Sequence, residues 1–407
     1  MSEEKNFWII NQYSSTPNTG IGGRHFYLAQ ELAKLGHKVF VIAGSYSHLL
    51  DKPHQFDDEY LIERVQENFD FVWVKLPWYD NAHSKFRIIN EFNFASKLLK
   101  LRKLKLASPN VIIYSSPALI GYLSIKYLSN YYKVPSVFEI RDPWPLTLIE
   151  IGGYSKNHPF IRFLQWIEDK AYKESDFVFS NFFNAIEHMQ SRGLDKRKFS
   201  WIPNGVSLDE LNNPDPLEEK ILNQIPSSKF IIGYTGTIGE ANALKYLISA
   251  AKLVSDFDEI HFVIVGKGKD KEILKREADK IGNFTFIDSI PKKQVQSMLQ
   301  RFDVCYIGWH KNPMYRLGIS ANKLPEYMFS GKPVLHSYSG KGDFIQQANA
   351  GITVEAENPQ KIADGILRLY RLSKEERNRL GNNGKNFVLK NLTYDEIAKK
   401  LISIIFQ

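Results

Sequence analysis

Residues 7–44, FWIINQYSSTPNTGIGGRHFYLAQELAKLGHKVFVIAG, decide the fold. An apolar run rich in β-branched and aromatic residues is followed by a glycine-rich loop, NTGIGG. A helical stretch, RHFYLAQELAKLG, comes next, and then a second apolar run, HKVFVIAG. Short runs bounded by turn residues read as buried strands, and a helix between two of them makes a parallel β-α-β unit. The pattern repeats. FVWVKL, NVIIYSS, SVFEIRD, DFVFSN and FSWIPNG are further strand candidates. After a polar stretch with three prolines, LDELNNPDPLEEKILNQIPSSK, which reads as a linker with a short helix, a second series runs FIIGYTGT, IHFVIVGKG, FTFIDSI, DVCYIG, PVLHS and GITVEA. The fold class is therefore α/β, with two Rossmann-like doubly wound domains facing across a cleft. The expected boundaries are 1–208, 209–390, and a last helix over 391–407 that packs back toward the N-terminal domain. Ligands of such sheets bind at the carboxyl ends of the strands, so the cleft is the expected site.

The chain has 407 residues, 43% hydrophobic and 24% charged, the balance of a globular protein too long for one core. One cysteine, Cys305, excludes a disulfide framework and suits a reducing cytoplasm. The N-terminus, MSEEKNFWII, has no basic-then-apolar leader, and no apolar run approaches the roughly 20 residues of a membrane helix. The net charge is +8, and residues 75–133 alone hold ten Lys or Arg against Asp80 and Glu91. A basic patch of this kind invites an anionic partner. Within it, SKFRIINEFNFASKLLKLRKLKL reads as a helix with one apolar stripe at Ile88, Phe92, Ala95 and Leu99. A second stripe runs through Phe94, Leu98 and Leu101, with Lys97 and Lys100 between, and is rimmed by Lys85, Arg87, Arg102, Lys103 and Lys105. Such a face either lies on an anionic membrane surface or is buried on two sides.

The chemistry concentrates in GISANKLPEYMFSGKPV, residues 318–334. Lys323 and Glu326 are three apart and share one helix face. Lysine suits a phosphate as a compact charge, and a carboxylate accepts both hydroxyls of a ribose. In GYTGTIGEANAL, Gly236, Thr237 and Gly239 sit between a strand and a helix, where backbone N–H groups and a hydroxyl make a diphosphate cradle. IVGKGKDKEIL makes a similar turn at Lys267. Gly20, Gly22 and Gly23 do the same in the first domain. The dinucleotide fingerprint is incomplete, which excludes a hydride-transfer enzyme as the leading reading. FEIRDPWPL ends a strand with Arg141 and Asp142, and an aspartate there can orient or deprotonate a hydroxyl. The histidines are scattered, with His25 alone near the expected cleft, and no cluster has metal-ligand spacing.

Taken together these segments resemble family 4 glycosyltransferases of the GT-B fold, and most closely the bacterial subgroup that builds O-antigen, capsule and exopolysaccharide units. GGRHFYLAQELAKLGHKVFVIAG, FEIRDPWP, WIPNGV, YTGTIG, IVGKG and the 318–334 segment follow that family's order. The resemblance implies a retaining, metal-independent transfer of a sugar from a nucleotide-sugar donor, a UDP-sugar foremost, with no cofactor. It implies that Glu326 holds the donor ribose and that Lys323, Ser320 and Asn322 meet the diphosphate or sugar. Gly22, Gly23, Gly236, Thr237, Gly239 and Lys267 would complete the donor site, and the stretch after Asp288 would border the base. Asp142, Arg141 and Lys323 are the expected catalytic residues. A polyprenyl-diphosphate-linked saccharide is the implied acceptor, received on a surface carrying Lys97, Lys100, Arg102 and Lys103 at the inner face of the plasma membrane. No nucleic acid partner is implied. The chain departs from the family pattern at Gly318, where relatives carry a glutamate, and at Glu240 and Ala241, where many carry Arg and Lys. A GT-B epimerase and a non-catalytic nucleotide-sugar-binding subunit are the alternative readings.

Overall fold

The computed structural model describes residues 3–80 and 86–407. It contains two compact units. One is formed by the chain up to Pro203 together with Tyr394–Gln407, and the other by Asn204–Thr393.

The first unit is built on eight strands. They are β1 (Asn6–Ile10), β2 (Lys38–Gly44), β3 (Tyr60–Gln66), β4 (Phe69–Val74), β5 (Val111–Ser115), β6 (Ser136–Ile140), β7 (Phe177–Ser180) and β8 (Phe199–Trp201). Their order is β3-β4-β2-β1-β5-β6-β7-β8. All neighbours are parallel except β3, which pairs antiparallel with β4 at the edge. The strand alternation sorts side chains between two cores, one on each face. Trp8 and Ile10 of β1 join Phe40, Ile112 and Phe138 on one face, covered by helices Phe86–Leu98, Tyr122–Tyr132 and Pro159–Glu174. Phe7 and Ile9 join Val39, Phe71 and Ile113 on the other. That second face is covered by helices Arg24–Lys34 and Tyr394–Phe406, through Leu28, Ala29, Leu32, Ile397 and Leu401. Fully burying each such side chain is worth about 1.5–3 kcal/mol for the larger ones.

The second unit is an all-parallel sheet of β9 (Phe230–Thr235), β10 (Ile260–Val265), β11 (Phe284–Ile287), β12 (Val304–Gly308), β13 (Val334–Ser337) and β14 (Gly351–Val354). Its order, β11-β10-β9-β12-β13-β14, reverses direction between β9 and β12. A reversal splays the two connecting loops apart and leaves a crevice at the carboxyl ends of those strands. The proline-rich stretch expected as a linker is pinned to this unit. Its Asp215 N–H donates to the Lys293 carbonyl (3.0 Å), and Gln294 Nε2 donates to the Pro216 carbonyl (2.9 Å).

Two expectations change in the first unit. The sheet is not wholly parallel, because YLIERVQ forms an edge hairpin strand. On helix Phe86–Leu98 the buried face is Asn90, Glu91, Phe94, Ala95 and Leu98, whereas Phe92 is about half exposed and stacks on Phe163 at 6.3 Å. The second stripe of Phe94, Leu98 and Leu101 is therefore core, in contact with β-sheet residues rather than a solvent-facing strip. Among the described residues no helix is long and apolar enough to cross a membrane.

Candidate active site

A groove of about 280 Å³ opens at the carboxyl ends of β9 and β10 in the second unit. Two glycine turns form its floor. Gly236 follows β9 with φ +148°, and Gly266 follows β10 with φ +150°, both in the region that favours glycine. The turns touch backbone to backbone. Gly236 N–H donates to the Val265 carbonyl and Ile238 N–H to the Lys267 carbonyl, both at 2.9 Å. A Cβ on Gly266 would lie 1.9 Å from the Gly236 carbonyl oxygen. A Cβ on Gly236 would lie 2.9 Å from Lys323 Cδ and 3.0 Å from its Nζ. The glycine thus leaves the space through which Lys323 enters the groove.

Lys323 opens the helix Lys323–Phe329, which follows β12. Tyr327, one turn on, locks that helix to the end of β9: its hydroxyl donates to the Thr235 carbonyl (2.7 Å) and accepts from the Thr235 N–H (2.8 Å). Lys323 Nζ donates to the Tyr234 hydroxyl (2.9 Å) and to Asn242 Oδ1, and lies 4.8 Å from the centre of the Tyr234 ring. These partners are neutral. Burial draws the ammonium pKa down to about 8, against the opposing pull of Glu326.

Glu326 lies on the same helix and lines the same groove, its side chain 14% exposed. Its partner is Lys292, not Lys323. The two residues expected to act together on one helix face are therefore brought to one groove but hold separate neighbours. Lys292 was not anticipated, because it approaches from a different segment 34 positions away. Thr237 stands exposed at the rim, with its carbonyl accepting from the Tyr234 hydroxyl (2.6 Å) and Asn242 Nδ2 (2.9 Å). Lys267 lines the groove with Ser289 and Ile290, the residues just after Asp288. Asp288 itself is 98% exposed and paired with Lys271 at 2.5 Å. Gly239 is open on its Cβ side, with only Thr237 Cγ2 within reach, at 3.8 Å. Ser320 and Asn322 flank the groove's helix and are held by Asn204, whose Nδ2 donates to the Ser320 carbonyl and to Asn322 Oδ1, both at 3.1 Å. Gly318 has φ +105°, a conformation a glutamate would adopt only under strain.

The remaining candidates belong to the first unit. Gly22 and Gly23 (φ +67° and +95°) turn the chain into helix Arg24–Lys34 and send Arg24 and His25 inward to Glu139 on β6. Arg24 Nε and Nη2 lie 2.9 and 2.8 Å from Glu139 Oε1. His25 Nε2 and Ser115 Oγ lie 3.1 and 2.7 Å from Oε2. Burial alone would raise the Glu139 pKa, but the Arg24 charge and the His25 hydrogen bond hold it well below the usual carboxylate range. Burial lowers His25 to about 4, so the ring is neutral at pH 7, with Nε2–H donating to Glu139 and Nδ1 accepting from Ser14 Oγ at 2.8 Å. His25 is thus a packing partner of Glu139. Glu139 itself was missed: within FEIRD it reads as one more strand position, and its partners Arg24 and His25 lie about 115 residues away.

Asp142 is not paired with Arg141. Its Oδ2 accepts from Trp144 Nε1 (3.0 Å) and its Oδ1 from Thr147 Oγ1 (2.5 Å). Burial raises its pKa, opposed by those two hydrogen bonds. Of the basic surface set, Lys97 donates to the Lys75 carbonyl (2.7 Å), Lys100 pairs with Glu59 (2.6 Å), and Arg102 donates to Tyr127 (2.6 Å); Lys103 is exposed. Lys85 lies outside the described residues. Among the described residues no group of three or more His, Cys, Asp or Glu is placed to hold a metal ion.

Comparison with known proteins places this geometry in a family. The model of Glycosyltransferase Family 4 matches residues 20–210, and that of Glycosyl transferases group 1 matches residues 217–387. The chain is 25% identical over 371 residues to a putative colanic acid biosynthesis glycosyl transferase, WcaI, of Escherichia coli K12, covering 88% of this chain and 90% of that one. It is 24% identical over 231 residues to the uncharacterized glycosyltransferase MJ1069 of Methanocaldococcus jannaschii, covering 55% of this chain and about half (54%) of that relative's length. Among solved structures, the trehalose-6-phosphate protein of E. coli bound with UDP-2-fluoro glucose superposes with a TM-score of 0.73 at 12% identity, covering 99% of each chain. With a family 4 match over the first sheet and a group 1 match over the second, the chain belongs to the glycosyltransferases of GT-B fold.

Proposed function

We propose that the protein transfers a sugar, with retention and without a metal, from a nucleotide-sugar donor to a lipid-linked saccharide during bacterial surface polysaccharide synthesis. The observation that carries the donor half is the groove of the second unit. It presents one desolvated ammonium, Lys323, and one little-exposed carboxylate, Glu326, beside two glycine turns. Glu326 accepts the two ribose hydroxyls, exchanging Lys292 as its partner. Lys323 meets the diphosphate and stabilises the charge that builds on it as the glycosidic bond breaks, because a fixed cation in a low-dielectric site needs no reorganisation. The backbone N–H groups around Thr237 and Gly239 add dipoles to the same end. The departing phosphate oxygen takes the acceptor hydroxyl's proton on the face where the new bond forms, which retains configuration. Asp142, oriented by Trp144 and Thr147, positions the acceptor hydroxyl. The UDP-2-fluoro glucose bound by the E. coli structure supports a UDP-sugar donor, and the putative colanic acid biosynthesis role of WcaI supports a surface polysaccharide acceptor. The basic 97–103 segment is proposed to face anionic lipid.

A thermal-shift screen of nucleotide sugars tests the donor half, since a ligand that binds only the folded chain raises its melting temperature. The active donor is then incubated with a bacterial lipid extract. Sugar appearing on lipid with release of the nucleoside diphosphate is the predicted outcome. Donor consumption without any acceptor would point to an epimerase instead. Binding with zero transfer would leave only a binding subunit.

A further inference from the structure

Arg141 is a mostly buried cation whose natural counterions are all engaged elsewhere. It follows β6 at the strand's carboxyl end, and its backbone N–H is fixed by Ser116 Oγ at 2.9 Å. Glu139, two residues earlier, is the nearest acid in sequence on that strand. A carboxylate has about four acceptor positions. Glu139 spends all four, two on Arg24 and one each on His25 and Ser115. Asp142, the next residue, gives its oxygens to Trp144 and Thr147. Among the described residues Arg141 has no side-chain hydrogen bond or ion pair, and its Nε is buried without a partner. Arg24, by contrast, is saturated by Glu139 and by the carbonyls of Ile202 and Pro203. With His25 neutral, the Arg24–Arg141–Glu139 cluster carries one net positive charge in a desolvated setting. Burying a charge without a partner is costly, and a fork of guanidinium donors matches a phosphate or carboxylate in shape.

We infer that the Arg141 guanidinium is the receptor for a diphosphate oxyanion at the carboxyl end of β6 in the first unit. Two substrates of the proposed reaction bring a diphosphate, the nucleotide-sugar and the lipid-linked acceptor. The source of the diphosphate rests on the proposed function, and the expected count of two equivalents rests on Lys323 holding the other; the Arg141 site itself does not depend on which donor is used.

Inorganic pyrophosphate is the probe, titrated calorimetrically into the full chain. The wild type is expected to bind two equivalents, Lys323→Gln to retain one, and Arg141→Gln to lose the other by tenfold or more in affinity, as for loss of a charged hydrogen-bond partner. If Arg141→Gln folds and binds pyrophosphate with wild-type stoichiometry and affinity, the inference is overturned. Should Arg141→Gln fail to fold, hydrogen exchange on Lys323→Gln decides: pyrophosphate-dependent protection within residues 139–147 supports the site, and its absence there overturns it. UDP and an isoprenyl diphosphate then identify the source. A tenfold loss in Arg141→Gln for UDP assigns the oxyanion to the donor, a loss for the isoprenyl diphosphate assigns it to the acceptor, and a loss for neither contradicts the site.

Discussion

Raising the pH from 7 to 9 is expected to weaken nucleoside-diphosphate binding by about tenfold, and the cause is Lys323. Its ammonium is bonded to a phenol and an amide, not to an acid, and burial lowers its pKa to about 8. An unperturbed lysine, near 10.4, stays charged throughout this range. Lys323 in the free protein is ~90% protonated at pH 7 and ~10% at pH 9. Apparent affinity scales with the competent fraction, so the loss is about tenfold, or ~1.4 kcal/mol. A bound diphosphate favours the charged form, so binding near pH 9 must take up a proton. Calorimetry with UDP in buffers of different ionisation enthalpy measures both quantities. Lys323→Arg is the control, because arginine keeps its charge and the ligand's own ionisation is common to both proteins. The reasoning is refuted if the wild type shows the same pH profile as Lys323→Arg and no proton uptake at pH 9.

Three further perturbations address separate parts of the structure. Gly236→Ala puts a methyl against Lys323 Cδ and Nζ at a φ of +148°, so UDP affinity should fall severalfold while the melting temperature drops by a few degrees; unchanged binding would mean that Lys323 does not need this space. Glu139→Ala strands Arg24 without its partner and is expected to cost about 3–5 kcal/mol in urea unfolding of the first unit. Because the Glu139 pKa is depressed in the folded state, its contribution is fully present above the unfolded value of about 4.3 and lost as pH falls through the folded value. Glu91 is the opposite case. It is 1% exposed, burial raises its pKa to about 8 with Arg87 opposing, and among the described residues its Oε2 has no hydrogen-bond partner. Between about pH 4.3 and 8 the folded state holds a proton the unfolded chain has released, so stability should fall with rising pH by roughly 1.4 kcal/mol per unit from this group. Glu91→Gln should flatten that slope in urea melts taken across the range.

The strands of both sheets were legible because each is a short apolar run between turn residues, and in a buried parallel sheet that is what the packing requires. β3 was missed because YLIERVQ is not such a run: Glu63, Arg64 and Gln66 interrupt it, as an edge strand with Ile62 and Arg64 exposed allows. The groove was legible at Gly236, Lys323 and Glu326, since a glycine turn after a strand and a lysine opening a helix are local features. Their partners were not. Lys323 meets Tyr234 and Asn242, 89 and 81 positions away, and Glu326 meets Lys292. The same limit hid Glu139, and with it the reason Arg141 stands unpaired. On helix Phe86–Leu98 the two apolar stripes were visible, but which one met the sheet depended on its azimuth, and that is set by tertiary packing.

The central claim is that the groove at the ends of β9 and β10 seats a nucleotide with Glu326 on its ribose. Isothermal titration of UDP into the wild type and Glu326→Ala measures this most directly. A carboxylate taking two hydroxyls should cost at least tenfold in affinity when removed. Equal dissociation constants for the two proteins, with Glu326→Ala folded, would contradict the account.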